Sequence, residues 1–186
     1  MVRRSLYIAV ATAAAVMILT VSANSQGVGS NTKQFWGTWV HNVHVGPGFS
    51  VPALVTIHFD GTINVSSGLM FGGLVGSTRR VSPVHSVWEK TGPKSIGATS
   101  LFFTFDAVTG VLTGYQRNRC SLEAGDDFTT YQGTEFMETL SCPYPLSCPD
   151  PLNPAATWTP VPGMPATGYP VSGARLKLVP SGALTP

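Results

Sequence analysis

From Gly37 to Val45 the chain reads G-T-W-V-H-N-V-H-V, and its side chains alternate with a period of two. Trp39, His41, Val43 and Val45 fall on one face, and Thr38, Val40, Asn42 and His44 on the other. That repeat belongs to a β-strand; a 3.6-residue helix would scatter the same residues around its circumference. The first strand is read over residues 35–45. Further strand-like segments follow at 51–59, 62–67, 84–89, 96–105, 111–122 and 128–140, with a last one at about 168–178. Nothing between Gly37 and Leu178 carries helical periodicity.

The connections are mostly short and rich in turn formers. Gly46-Pro47-Gly48, Asp60-Gly61, Thr91-Gly92-Pro93-Lys94 and Ala124-Gly125-Asp126-Asp127 each reverse the chain. Asp60-Gly61 reads as a two-residue hairpin turn with positive φ at both positions. Eight strands joined in sequence order imply an all-β protein, an eight-stranded antiparallel up-and-down barrel. Closing the sheet removes its edges, and a barrel of this size is filled by side chains or holds one small ligand. Two stretches break the pattern. Residues 68–80 are glycine-rich and carry Leu69, Met70, Phe71, Arg79 and Arg80, which reads as a loop or flap over one end. Residues 143–165 contain eight prolines and do not alternate. A loop this long in a compact domain is functional, as a lid would be, or a surface insertion.

The N-terminus has the organisation of an export signal. Arg3 and Arg4 precede an apolar run over 6–21, and Val21-Ser22-Ala23 offers a small-residue cleavage site. The run is too short to span a membrane, so cleavage leaves no stable membrane insertion. The expected organisation is a signal peptide at 1–23, a flexible leader at 24–34, one barrel domain at 35–178 with its insertion at 143–165, and a tail at 179–186. The protein is then secreted or periplasmic, by general or twin-arginine export. Removing Arg3 and Arg4 from eleven basic residues leaves nine, matching the nine acidic ones. With no basic stripe to neutralise phosphates, the composition argues against nucleic acid as a partner.

An exported chain folds where disulfides persist. Cys142 and Cys148, six apart in a proline-rich turn, are the favoured pair, with Cys120 left as a packed thiol; sequence alone leaves other pairings open. The cysteine spacing, with no nearby histidine, is poor for zinc. His41 and His44 point to opposite faces, and His58 and His85 complete no set. No metal and no cofactor are expected.

Gly37-Thr38-Trp39 at the start of the first strand, with Arg175 in the last, resembles the lipocalin-like, or calycin, arrangement. That resemblance implies that the indole closes one barrel end beneath the arginine. Over 37–175 the segments P-A-L-V-T-I-H-F-D-G-T, S-P-V-H-S-V-W-E-K-T-G, F-F-T-F-D and D-D-F-T-T-Y-Q-G-T are similar to exported bacterial proteins with lipocalin-like or allene-oxide-cyclase-like barrels. Phe105-Asp106-Ala107 does not match the second lipocalin motif, and the cysteine-tied proline insertion is not a usual feature of it. The resemblance speaks to fold more than to function.

If Trp39 faces inward, the pleat takes His41 inward too. On the sixth strand Leu112, Gly114, Gln116, Asn118, Cys120 and Leu122 form the inward set, because the other register would bury Arg117 and Arg119. On the seventh, Phe128, Phe136 and Leu140 point to the face that also carries Gln132 and Glu138. His41, Gln116, Asn118, Gln132 and Phe136 are therefore the expected ligand-binding residues, a few polar groups in an apolar cavity. A histidine satisfied by a backbone carbonyl or water is the plainer reading of His41. In Ser82-Pro83-x-His85-x-x-Trp88, His85 and Trp88 fall on opposite faces, with Trp88 in the core.

Three functions fit. The first is an exported barrel that binds a small, largely apolar molecule. The second is an interaction module using its outer surface, with Tyr115, Tyr131 and the proline loop as contacts. The third is a cyclase or isomerase that confines its substrate, with His41 and Glu138 as acid–base groups. N-terminal sequencing of the exported protein is expected to begin near Asn24; a first residue well inside 35–45 would contradict the domain boundary.

Overall fold

The computed structural model describes residues 30–70, 78–143 and 147–177. The expected signal peptide at 1–23 and tail at 179–186 lie outside them. Ten strands form one antiparallel sheet: β1 (Gly37–Gly46), β2 (Phe49–Ile57), β3 (Thr62–Ser67), β4 (Arg79–Val81), β5 (Val84–Lys90), β6 (Ser95–Asp106), β7 (Leu112–Ala124), β8 (Thr130–Ser141), β9 (Thr159–Pro160) and β10 (Tyr169–Arg175). Successive strands pair as a meander, and β10 pairs with both β8 and β1. That double pairing closes the sheet.

The closed wall is eight strands around, as the sequence leads one to expect, because β4 and β5 together occupy one strand position. Both pair with β6, Val81 opposite Thr104 and His85 opposite Leu101. Ser82-Pro83 interrupts them where proline has no N–H to give the ladder. Ser82 patches the gap, its backbone N–H donating to Phe103 O and its Oγ accepting from Phe103 N, both at 3.0 Å. Arg79 and Arg80 thus belong to the sheet rather than to the expected loop. Residues 68–70 of that loop are a short 3-10 helix, and 71–77 lie outside the described residues.

Residues 30–34, expected in the leader, form with Phe35 a 3-10 helix, Ser30–Phe35, across one barrel end. Phe35 and Trp39 are fully buried there. Trp39 Nε1 donates to Phe35 O at 3.0 Å. The Arg175 guanidinium lies 4.6 Å from the indole centroid and donates to Gln34 O, a cation–π stack that also satisfies a helix carbonyl. Phe128, the one described non-glycine residue with positive φ, meets Phe35 edge-on from the β7–β8 turn at 5.5 Å.

The β2–β3 turn differs from its sequence expectation. Ile57 pairs with Ile63, and His58 N–H donates to Thr62 O, which leaves a three-residue loop, Phe59-Asp60-Gly61. Only Gly61 has positive φ, at 85°. Asp60 instead accepts from the Thr62 hydroxyl and N–H, and those bonds hold its carboxyl below the usual range. A three-residue hairpin of this kind needs one left-handed residue, not two.

Trp39→Ala removes the plug and leaves a cavity under Arg175. It is expected to lower unfolding free energy by about 3–5 kcal/mol, the usual range for a buried aromatic. Urea denaturation followed by far-UV circular dichroism would measure it, and a loss under about 1 kcal/mol would contradict the closing role of Trp39.

Candidate functional site

Above the plug the barrel encloses a cavity of about 270 Å³. Most of its wall is aliphatic, supplied by inward residues such as Val43, Val55, Ile63, Val65, Val84 and Leu122. One side is polar. His41 from β1, Gln116 and Asn118 from β7, Tyr131 and Glu135 from β8, and Arg79 from β4 all line it.

These six side chains form one hydrogen-bonded row. Arg79 Nη2 donates to Gln116 Oε1 at 3.0 Å, and Gln116 Nε2 donates to Asn118 Oδ1 at 2.9 Å. Asn118 Nδ2 donates to Glu135 Oε1. His41 Nε2 lies 3.3 Å from Glu135 Oε2, and His41 Nδ1 lies 2.6 Å from the Tyr131 hydroxyl. A carboxylate only accepts. Nε2 therefore carries a proton, and in the neutral ring that tautomer leaves Nδ1 to accept from Tyr131. Every hydrogen bond of the row is donated in the direction of Glu135, from both ends. His41 and Glu135 are only 6% and 4% exposed, so this satisfaction is what makes their burial affordable.

Local structure explains the positions. His41 sits opposite Gly173 of β10, and Gly173 sits opposite Tyr131 of β8. A Cβ on Gly173 would fall 2.1 Å from Tyr131 Cζ, so the phenol lies flat across a strand with no side chain at that point. This slot aims the hydroxyl at His41. Trp39 supports the ring from below, with centroids 5.1 Å apart.

His41, Gln116 and Asn118 occupy the positions expected of them in the interior. The seventh expected strand, β8, has the opposite face inward. Tyr131, Glu135 and Met137 line the cavity, whereas Gln132 is exposed, Phe136 lies on the outer face and Glu138 is outside with Arg117 and Arg119. Tyr131, expected as an outer contact, is 2% exposed and internal. The expectation counted Phe128, Phe136 and Leu140 as votes for the inner face. Phe128 precedes the strand and covers the floor, and Phe136 packs against the backbone at Gly168.

The proline-rich segment provides much of that external cover. Cys142 and Cys148 stand at disulfide distance, with Cα atoms 4.4 Å apart. Beyond them Trp158 lies under the Arg117 guanidinium, 4.4 Å from its ring centroid. β9 pairs with Glu138 and Thr139. The chain then turns in, and Val161 lines the cavity together with Leu69 and Tyr169. The insertion is thus an outer brace whose last part contributes to the cavity.

Tyr131, Glu135 and Arg79 are the polar wall residues that sequence reasoning did not place in the site. The signal for the first two was available: Tyr131, Gly133, Glu135 and Met137 alternate as well as their neighbours do. The Ser86–Ser100 bond of 2.7 Å adds a second polar contact among inward positions. Among the described residues no group of three or more His, Cys, Asp or Glu side chains could hold a metal ion. Compared with known proteins, the chain matches no family model, no curated protein and no solved structure.

Burial and the neighbouring Glu135 carboxylate push the Cys120 thiol well above its ordinary 9.0, and burial likewise raises the Tyr131 phenol. Both groups stay protonated in the fold at pH values where the unfolded chain releases its protons. Their contribution is therefore full below about pH 9 and falls as pH rises further. Urea midpoints measured from pH 7.5 to 10.5 should be flat at first and then decline, less steeply in Cys120→Ala. A midpoint that rises across pH 9–10 would contradict the buried, protonated thiol.

Proposed function

We propose that this chain is an exported binding protein for a small, largely apolar molecule held inside the barrel. The supporting observation is the cavity itself, apolar on most sides with one row of placed polar groups. That division is typical of small-molecule sites, although 270 Å³ lies just under the usual range of roughly 300–1,000 Å³. The ligand is correspondingly compact, a single ring or a short chain. A barrel whose only task was stability would gain from filling this space, since apolar burial and close packing stabilise a core.

Export rests on the sequence at 1–23 and is supported by the Cys142–Cys148 pair, which suits an oxidising compartment. Among the described residues no helix is long and apolar enough to cross a membrane. Calycin-like kinship is proposed on the Trp39–Arg175 closure. The confinement-enzyme alternative loses Glu138 as a partner of His41. Glu135 takes that position, but it is held between two donors and acts on this reading as a fixed support for His41 and Asn118.

Native mass spectrometry of protein purified from its own host, with displacement of a fluorescent apolar probe, tests the reading. Ala53→Leu and Ala98→Leu each push a larger side chain into the cavity, and each is expected to weaken probe binding about tenfold, as one lost apolar contact of 1–3 kcal/mol would. No bound species and no probe uptake by a folded protein would overturn it.

A further inference from the structure

The two amides in the middle of the polar row have only one orientation open to them. A guanidinium only donates and a carboxylate only accepts. Arg79 at one end therefore fixes Gln116 Oε1 as an acceptor, and Glu135 at the other fixes Asn118 Nδ2 as a donor. The bond between them, from Gln116 Nε2 to Asn118 Oδ1, runs in the same sense. Each amide NH2 has two N–H groups and spends one of them along the row. Each keeps the other, and both side chains line the cavity, Gln116 at only 8% exposure. The Tyr131 hydroxyl has no proton to spare, because it donates to His41 Nδ1. The two charges, in contrast, are engaged. Arg79 has contacts beyond Gln116, and Glu135 accepts from His41 and Asn118.

From this direction of donation we infer that the ligand is a small neutral carbonyl compound, a ketone, aldehyde or ester. Its oxygen accepts from the remaining N–H groups of Gln116 and Asn118, and its hydrocarbon body lies against the aliphatic wall. The inference rests on the binding-protein reading and names its ligand class. A carbonyl oxygen has two lone pairs and no proton, so it takes both bonds and asks the wall for no acceptor. One oxygen can reach both donors: Gln116 Nε2 lies 2.9 Å from Asn118 Oδ1, which shares its carbon with Nδ2. An alcohol must also place its own proton, and every acceptor on the row already takes a donor. A carboxylate or an ammonium ion would leave water for a wall that carries one charge of each sign, both engaged, and an unmatched buried charge is costly. A pure hydrocarbon would cover the two N–H groups without pairing them, which is also unfavourable.

Cyclohexanone offers one compact ring and one carbonyl, and methylenecyclohexane has the same shape without the acceptor. Infrared difference spectra of isotope-labelled cyclohexanone bound to the full exported protein should place its C=O stretch below the frequency in hexane and close to that in water. Gln116→Leu and Asn118→Leu should each move the band back towards the hexane value. Each should also lower cyclohexanone affinity relative to methylenecyclohexane by about three- to tenfold, the range for one neutral hydrogen bond. Both affinities are read by displacement of a neutral fluorescent apolar probe. A wild-type band at the hexane frequency overturns the carbonyl assignment while the binding reading stands, as does an affinity ratio that neither variant changes. Stronger displacement by cyclohexanecarboxylate or cyclohexylammonium than by cyclohexanone overturns it too, and so does uptake of the probe with no displacement by cyclohexanone. Failure of the probe and of every compound overturns both readings. The wild-type spectrum decides the matter even if the variants fail to fold.

Discussion

Closure of the sheet by β10 is the constraint on which everything else depends. A seven-residue strand reaches Thr130–Glu135 on one side and Trp39–Val43 on the other, and it is the only described strand that joins the two halves of the meander. Its last residue, Arg175, stacks on Trp39 and holds the 3-10 helix against the floor. Two residues before it, Gly173 admits the Tyr131 ring that orients His41. One strand thus closes the barrel, seals its end and fixes one end of the polar row. Loss of that pairing would expose two edges and an apolar interior at once.

Much of this was legible in the sequence, for a physical reason. Inward and outward residues of β1 and β7 differ sharply: Trp39 against Thr38 and Val40, Gln116 against Arg117. Burying two arginines without partners is so costly that β7 has only one register. Trp39 is paired with Arg175 by the resemblance to the lipocalin-like arrangement, and a large plug with a cation on its face suits a barrel end. In β8 the contrast fails. Both faces carry aromatics and both carry a carboxylate, Glu135 inside and Glu138 outside. The outer face acquires apolar neighbours only because residues 147–168 fold back over it, and that return depends on distant contacts such as Trp158 with Arg117. Periodicity records how apolar a face is; it does not record what covers it.

The same limit applies to turn chemistry. Asp60-Gly61 marks a reversal correctly, yet the length of the loop is set by the pairing of Ile57 with Ile63. Both residues are buried. A two-residue turn at Asp60-Gly61 would need a different pairing of β2 with β3 and turn inward residues outward. Core burial therefore overrides the local preference, and Asp60 serves as an acceptor for Thr62 instead.

The polar row sets the remaining question of energetics. A buried carboxylate with an imidazole, two amides and a phenol is expensive to desolvate, and replacing such a group with well-packed apolar residues is often neutral or stabilising. The barrel nevertheless holds the row on one wall only, with the cavity beside it. Stability alone accounts for neither the row nor the space, since each could be replaced by packed hydrocarbon. The two make sense together if the wall exists to orient something that enters. The uniform direction of the row fits that view: five hydrogen bonds run towards Glu135, so the charge at the centre is fixed by its own neighbours.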